Sequence, residues 1–177
     1  MKAIAAIGIG RAGKYAFGEF LRILFALCIF PPCRVALLRI LGAKVGRNTV
    51  IHAFDFINYY RGSFRNLNIG DDCFVGNHVL FDLADRIEID RQVTLSERVS
   101  IITHINVGYK DHPLQEKFPP DQKPVIIGKG SFAGVNATIL HGVTLGERSF
   151  VAAGAVVTRS FDPGSMIGGV PADLLKK

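Results

Sequence analysis

The chain has 177 residues and a formal net charge of +6, and its length suits one domain with an appendage. The charge lies at the start, because residues 1–47 carry eight Lys or Arg residues against Glu19 alone. These basic residues are interleaved with bulky apolar ones and so do not form the polar basic face typical of nucleic-acid-binding proteins, and we expect no nucleic-acid partner.

The cysteines and the hydropathy pattern indicate a compartment. The chain has three cysteines, Cys28, Cys33 and Cys73, which cannot all pair in disulfides. We interpret them as reduced thiols, which predicts a cytoplasmic protein. A transmembrane helix is not predicted, because no uncharged apolar run reaches about eighteen residues.

Residues 1–43 are predicted to form an apolar and basic helical segment. Six apolar side chains recur at spacings of three and four, the pattern of one helix face: Phe17, Phe20, Leu21, Leu24, Leu27 and Cys28. The pair Pro31-Pro32 then breaks this helix, and residues 35–41 predict a second, shorter helix. Two interpretations stay open. The helices cover the open end of the fold that follows, or residues 1–41 contact an anionic membrane surface.

Between residues 44 and 160 an apolar or small side chain returns every six positions. The set comprises Val45, Ile51, Ile57, Ser63, Ile69, Val75 and Phe81 and, after a two-residue slip, Ile89, Leu95, Ile101, Ile127, Ala133, Ile139, Leu145, Val151 and Val157. A period of six is typical of a parallel β-helix, in which each hexapeptide forms one side of a triangular coil. The predicted fold class is an all-β core, with a helical segment before it and a C-terminal cap over residues 161–177.

The period breaks over residues 104–123, which are polar and rich in proline. A solenoid tolerates such an insertion because each coil contacts only its neighbours. Long loops without a period of their own are usually functional. We therefore predict that this loop protrudes from the solenoid and belongs to the functional site.

Two stretches resemble the hexapeptide-repeat acyltransferases. Residues 123–177, KPVIIGKGSFAGVNATILHGVTLGERSFVAAGAVVTRSFDPGSMIGGVPADLLKK, are similar to the C-terminal half of the galactoside and maltose O-acetyltransferases. Residues 34–51, RVALLRILGAKVGRNTVI, are similar to the entry segment of the colanic-acid-type exopolysaccharide O-acetyltransferases. The resemblance implies a left-handed coil, acetyl coenzyme A as co-substrate, and a homotrimer with active sites between neighbouring solenoids.

Transfer of an acyl group from a thioester to a hydroxyl needs a base that removes the hydroxyl proton. The resemblance implies a histidine at the start of the inserted loop, and His104 stands there, at the end of VSIITH. Many relatives carry the base two positions later, where this chain has Asn106, and His112 is a second candidate. The spacings among His104, His112 and His141 do not resemble the zinc site of a γ-type carbonic anhydrase, so no metal is expected.

The resemblance also implies binding residues. In FVGNHVLFD, Asn77 and Asp82 are candidates for binding the acceptor, and Asp82 is also a candidate for orienting the catalytic histidine. The candidates for binding coenzyme A are Val135, Ala153, Thr158, Arg159 and Lys176. Asp173 departs from the pattern, because relatives often have a basic residue there. Backbone N–H groups of residues 134–136 are candidate donors to the oxyanion.

Together these features predict an acetyl-coenzyme-A-dependent O-acetyltransferase that acts on a sugar hydroxyl in surface polysaccharide biosynthesis. The basic, apolar first segment predicts a carbohydrate acceptor at the inner membrane face, with the enzyme cytoplasmic or peripheral to that membrane. Two alternatives stay open. One is an N-acyltransferase acting on an amino sugar or an antibiotic, and the other is a non-catalytic β-helix scaffold.

Overall fold

The computed structural model describes residues 9–175 and begins with two helices, α1 (Ile9–Leu27) and α2 (Pro31–Ile40). The proline pair opens α2, because proline in the first turn of a helix loses no backbone hydrogen bond. Gly42, with a φ of +98°, follows the end of α2, and the N–H of Ala43 donates back to the carbonyl of Leu38. Neither of these described helices is long and apolar enough to cross a membrane.

Three parallel sheets form the sides of a triangular solenoid. The first sheet contains β1 (Lys44–Val45), β4 (Leu67–Ile69), β7 (Ile87–Ile89), β12 (Val125–Ile127) and β15 (Thr144–Leu145). The second contains β2 (Val50–Ile51), β5 (Phe74–Val75), β8 (Thr94–Leu95), β13 (Phe132–Ala133), β16 (Phe150–Val151) and β18 (Met166–Gly169), with β19 (Ala172–Leu174) antiparallel at its end. The third contains β3 (Phe54–Ile57), β6 (Val79–Asp82), β9 (Ser100–Ile101), β14 (Thr138–Ile139) and β17 (Val156–Val157). The predicted left-handed parallel β-helix is confirmed.

The core is a set of columns in which the inward side chain of each strand stacks on its equivalent in the next coil. Ala133, for example, lies between Leu95 and Val151 in the second sheet, and all three are buried. Glycine at the corners lets the coils stack closely, since a Cβ on Gly134 would lie 2.6 Å from the backbone nitrogen of Ala153. Burial of these aliphatic columns is the main term that stabilises the solenoid.

The first coil departs from the predicted period. Val45 pairs with Ile69, twenty-four positions on, whereas Ile127 pairs with Leu145, eighteen positions on. Ile57 was predicted as a core position, but Phe56 pairs with Phe81 instead. Ser63, also predicted as a repeat position, caps a 3-10 turn over Phe64–Asn66. The first coil thus contains six residues more than a regular coil. Because six residues equal one repeat, the period continues unchanged in the sequence and the insertion cannot be seen there.

Irregular segments gather at one corner, which we call the third–first corner because there the chain leaves the third sheet and enters the first. The residues between β3 and β4, the two-residue slip between β6 and β7, and the loop between β9 and β12 all lie at it, in three successive coils. The loop begins and ends in an antiparallel pair, β10 (His104–Ile105) and β11 (Asp121–Gln122). We call the opposite end of the third sheet the second–third corner.

Helix α1 packs against the open end of the first coil. Leu21 and Phe25 are buried, and the Phe25 ring makes edge contacts with Phe54, Phe56 and Phe64. The predicted apolar face was partly wrong, since three of its six members, Phe17, Phe20 and Leu27, are exposed. The helix is apolar around most of its circumference, so spacing alone does not identify which stripe faces the solenoid.

Candidate active site

His104 lies at the third–first corner, in the first residue of β10, where the solenoid strand ends and the inserted loop begins. Thr103 before it is fully buried, and its backbone carbonyl accepts a hydrogen bond from the N–H of Lys123 at the other end of the loop. The two ends of the insertion are therefore fastened together beside the histidine. The His104 side chain is 19% exposed, so it can meet a substrate.

Asp82, at the end of β6, is fully buried beside His104. Its Oδ2 lies 2.5 Å from Nδ1 of His104 and accepts a hydrogen bond from the Thr103 N–H at 2.9 Å. Its Oδ1 accepts hydrogen bonds from Nδ2 of Asn58 at 2.7 Å and from the N–H of Ala84 at 3.2 Å. Both carboxylate oxygens are thus occupied by groups of the protein, and the geometry favours the orienting role over direct contact with an acceptor.

Burial alone would raise the pKa of Asp82, but hydrogen bonds from Asn58, His104 and Thr103 outweigh it and hold the pKa below its ordinary value. Asp82 is therefore a carboxylate at neutral pH, and Nδ1 of His104 is assigned as the donor to it. The lone pair of a neutral imidazole then lies on Nε2. This nitrogen has no hydrogen-bond partner within residues 9–175. The arrangement leaves Nε2 free to accept a proton.

Thr103 and the two-residue slip lock this geometry. The Thr103 hydroxyl donates to the Asp82 carbonyl at 2.8 Å and accepts from the N–H of Asp85 at 3.0 Å. The slip between β6 and β7 thereby turns the chain so that two of its backbone N–H groups donate hydrogen bonds, that of Ala84 to the Asp82 carboxylate and that of Asp85 to the Thr103 hydroxyl. A buried, fully hydrogen-bonded group of this kind is rigid.

Asn58 is a site residue that sequence reasoning missed. It begins the insertion of the first coil in the left-handed region, with a φ of +58°, and its Nδ2 lies 3.4 Å from Nδ1 of His104 as well as bonding to Asp82. Asparagine adopts this conformation more readily than most residues. The sequence did contain a signal for a turn at this position, because Asn58 directly follows the alternating run FDFI and precedes the turn residues Gly62 and Ser63.

The alternative base, His112, lies within the exposed loop. Its Nδ1 accepts a hydrogen bond from the N–H of Leu114, and its side chain makes no ion pair with a carboxylate of the described residues. Asn106 also supports the loop, since its Oδ1 accepts from the N–H of Gly108 and from Gln115. The geometry therefore favours His104 over His112 as the base.

The other predicted binding residues divide between two corners. Asn77, Val135 and Ala153 lie at the second–third corner, where successive coils are joined by backbone hydrogen bonds such as Gly154 N–H to Val135 carbonyl. At about 3.3 Å per strand residue, Asn77 is roughly 16 Å from Asp82 along β6. The fold of one chain therefore does not bring Asn77 together with the Asp82–His104 pair.

Thr158 and Arg159 follow β17 at the third–first corner. The Arg159 guanidinium stacks 4.7 Å from the centre of the Phe161 ring and donates to Asp173 at 2.5 Å. Asp173, which departs from the family pattern, thus pairs with Arg159, the side chain predicted to bind a coenzyme A phosphate. Lys176 lies outside the described residues.

Most of the backbone N–H groups predicted to stabilise the oxyanion, those of residues 134–136, already donate hydrogen bonds to other carbonyls of the solenoid. The N–H of Gly134 donates to the Val151 carbonyl, and the N–H of Asn136 donates to the Glu97 carbonyl. Only the N–H of Val135 in this stretch has no hydrogen-bond partner among residues 9–175. A donor from residues 134–136 would therefore have to be Val135.

Comparisons with known proteins bear on this arrangement. The family described as hexapeptide repeat of succinyl-transferase matches residues 124–159. Galactoside O-acetyltransferase of Escherichia coli K12 is 27% identical over 148 residues, which are 81% of this chain and 68% of the relative. The putative colanic acid biosynthesis acetyltransferase WcaF of the same strain is 29% identical over 144 residues, 81% of this chain and 74% of the relative. The resemblance to the hexapeptide-repeat acyltransferases is confirmed.

Solved structures of hexapeptide-repeat acyltransferases agree with this fold. An acetyltransferase from Vibrio cholerae complexed with acetyl coenzyme A aligns with a TM-score of 0.76 and 26% identity, over 90% of this chain and 84% of that one. A maltose O-acetyltransferase from Clostridium difficile 630 aligns with a TM-score of 0.76 and 25% identity, over 96% and 89%. Residues 9–175 contain no group of three or more His, Cys, Asp or Glu side chains arranged to hold a metal ion.

Proposed function

We propose that the protein is an acetyl-coenzyme-A-dependent O-acetyltransferase that acetylates a sugar hydroxyl during surface polysaccharide biosynthesis. The observation that carries the proposal is the Asp82–His104 pair at the break of the solenoid, with Nε2 of His104 free. The names of the relatives support it, because a galactoside and a colanic acid biosynthesis acetyltransferase align over most of this chain.

In the proposed reaction His104 acts as a general base. Its Nε2 takes the proton of the sugar hydroxyl while that oxygen attacks the thioester carbonyl, and the Asp82 carboxylate stabilises the imidazolium that forms. The carbon–sulfur bond then breaks, and His104 returns the proton to the departing sulfur. The products are the acetylated sugar and free coenzyme A, so atoms and charge balance.

We place coenzyme A along the second–third corner, where exposed Val135 and Ala153 lie in adjacent coils, with its phosphates near Thr158 and Arg159. Small residues suit the amide-rich pantetheine arm, because they let it approach the backbone closely. Since Val135 and Ala153 lie at the opposite end of the third sheet from His104, a complete site requires a second copy of the chain, as a homotrimer with active sites between solenoids would supply.

The outer face of the second sheet supports such an assembly. Val50 pairs with Phe74, and Phe132 pairs with Phe150, which in turn pairs with Met166, so apolar side chains run along this face of the solenoid. The rings of Phe132 and Phe150 are stacked, with centroids 5.1 Å apart. A largely apolar strip of this kind, interrupted by Thr94 between Phe74 and Phe132, is typical of a contact surface between subunits.

We also propose that the N-terminal helices contact an anionic membrane. Large apolar side chains are exposed along α1 and the segment that follows it: Phe20, Ile23, Leu27, Ile29 and Phe30. Exposed basic residues also occur in both helices, Lys14 in α1 and Arg39 in α2, although the Arg39 guanidinium donates to the carbonyls of Val45 and Gly46. The expected result is flotation of the protein with phosphatidylglycerol vesicles and loss of flotation in the Leu27→Glu variant. Equal flotation of both proteins would contradict membrane contact through this face.

The activity is tested by release of free thiol from acetyl coenzyme A in the presence of a panel of methyl glycosides. We expect release that depends on a glycoside, that vanishes in His104→Ala and that persists in the control His112→Ala. Treatment of the product with hydroxylamine separates the alternatives, because it cleaves an O-acetyl ester and leaves an N-acetyl amide intact. Coenzyme A binding without turnover, with the acceptor panel extended to lipid-linked oligosaccharides, would favour the scaffold.

A further inference from the structure

Arg34, near the start of α2, is a buried cation without a partner among the described residues. It is only 7% exposed, and its Nε has no hydrogen-bond partner. The rest of its guanidinium likewise makes no hydrogen bond or ion pair to residues 9–175. Arg22 and Arg39 of the same two helices, by contrast, donate to backbone carbonyls of the first coil.

A buried guanidinium needs an anion. It carries five N–H donors, and it cannot lose its charge in a protein. Burial removes the water that solvates a charge, so buried charges are almost always paired and hydrogen-bonded. The state of Arg34 therefore indicates that its partner comes from outside residues 9–175.

The sequence around Arg34 does not supply that anion. Residues 1–18 contain no acidic side chain, and none stands between Glu19 and Asp55. The same interval holds five basic residues: Arg22, Arg34, Arg39, Lys44 and Arg47. This surplus of positive charge favours an anionic molecule that binds from outside.

Arg34 also lies next to an exposed apolar surface. Ile29 and Phe30 stand directly before α2, and they are 75% and 69% exposed. Because the side chains of a helix point back toward its N-terminus, the Arg34 side chain lies over the turn that follows these two residues. The start of α2 therefore combines a buried cation with apolar side chains that face solvent.

A lipid phosphate matches both features. The planar guanidinium presents paired donors that fit two phosphate oxygens, and the acyl chains of the same molecule would pack on Ile29 and Phe30. The backbone offers little at this helix start, since Pro31 and Pro32 have no N–H and the Cys33 N–H donates to the Phe30 carbonyl. The Arg34 side chain would therefore be the main phosphate ligand.

We propose that Arg34 is the phosphate-binding residue of a lipid site at the start of α2. This inference rests on the proposed membrane contact of the N-terminal helices and names the lipid group that the contact recognises. It accounts for an arginine among the buried residues of α2, where the others, Val35 and Leu38, are apolar. The site uses none of the residues proposed for acetyl transfer.

The test is thermal unfolding with two soluble probes at one ionic strength. Dihexanoylphosphatidic acid carries a phosphate and two short acyl chains, whereas glycerol 3-phosphate carries the phosphate alone. We expect the first to raise the Tm of the unchanged protein by about 5 °C when its concentration greatly exceeds Kd, and the second to raise it much less. Arg34→Met should abolish this rise, and Arg34→Lys, which keeps the charge without the paired donors, should lose most of it. Arg91→Met, the same change at an exposed arginine between β7 and β8, should retain it.

The same variant tests whether Arg34 is a structural residue. Arg34→Met removes a buried charge and keeps an unbranched side chain, so without lipid its Tm should be about 2 °C or more above that of the unchanged protein. A lower Tm in Arg34→Met would overturn the proposal, because it would mean that the side chain stabilises the fold by packing alone.

The remaining outcomes separate the lipid site from the membrane contact. An equal rise of Tm in Arg34→Met and in the unchanged protein would overturn the site. Equal rises with the two probes would overturn the lipid as its occupant and indicate a small phosphate compound. Flotation that is lost in Leu27→Glu and fully kept in Arg34→Met would leave the membrane contact standing without the phosphate site.

Discussion

The last coils and the first coil of this solenoid follow different rules. Residues 127–157 keep the six-residue period without interruption, and their inward side chains are almost completely buried. The first coil contains six extra residues and depends on a helix to cover its aromatic core. The Asp82–His104 pair and Asn58 lie at the third–first corner, where the period is broken, so in the proposed enzyme the regular coils supply stability and this irregular corner supplies the chemistry.

The largest expected effect is a loss of activity on substitution of Asp82 at the third–first corner. Asp82→Asn should lower kcat by about a thousandfold or more, because an amide at this position favours the wrong tautomer of His104. Thiol release at saturating substrates measures it, with Asp55→Asn, an exposed residue of the neighbouring strand, as the control. A loss of less than tenfold in Asp82→Asn would mean that the carboxylate does not orient the base.

The regular coils should respond in stability instead. Leu145 is buried in the first sheet, so Leu145→Ala should cost about 2–5 kcal/mol of unfolding free energy. Ile57→Ala should cost clearly less unfolding free energy, because Ile57 lies one position out of register and is only half buried. Urea unfolding at one fixed protein concentration measures both. Equal losses at the two positions would contradict the register of the first coil.

Much of this architecture could be predicted from sequence, because a β-helix repeats its physical constraint in every coil. Every inward position from Ile127 to Val157 was predicted correctly, since each one faces the same narrow interior. The insertion at residues 58–66 was missed because its net length equals one repeat. Asn58 was missed for a related reason, since only the three-dimensional stacking of coils brings it to Asp82, twenty-four positions later.

A smaller effect is expected at Asn58, where the chain offers a matched control. Asn58→Gly keeps the positive φ and removes the amide that bonds to Asp82, so we expect kcat to fall about tenfold, the usual scale of one hydrogen bond to a charged group. Asn48 also has a positive φ and bonds to an aspartate twenty-four positions on, Asp72, at an exposed corner. Asn48→Gly should leave kcat unchanged, and equal losses in both variants would refute a positioning role for Asn58.

Acid should lower the stability that Asp82 contributes at the third–first corner. The folded pKa of Asp82 lies below the ordinary value of 3.8, so its contribution to stability is complete above that value and is lost as pH falls through the lower folded pKa. Unfolding free energy measured from pH 6 down to pH 2 should therefore fall less steeply in Asp82→Asn than in the unchanged protein. Parallel curves would mean that Asp82 gains no net stabilisation of its charge on folding.

The smallest expected effect concerns the last coil, where regularity and function meet. Asp173 pairs with Arg159, although both side chains are mostly exposed. If Arg159 binds a coenzyme A phosphate, the carboxylate competes with that phosphate, and Asp173→Asn should lower KM for acetyl coenzyme A by at most about fivefold, because exposed ion pairs are weak. The difference should shrink in high salt, which screens exposed charges. A higher KM in Asp173→Asn would show instead that Asp173 holds Arg159 in its binding position, and Asp173 would then have in the last coil the positioning role that we propose for Asp82.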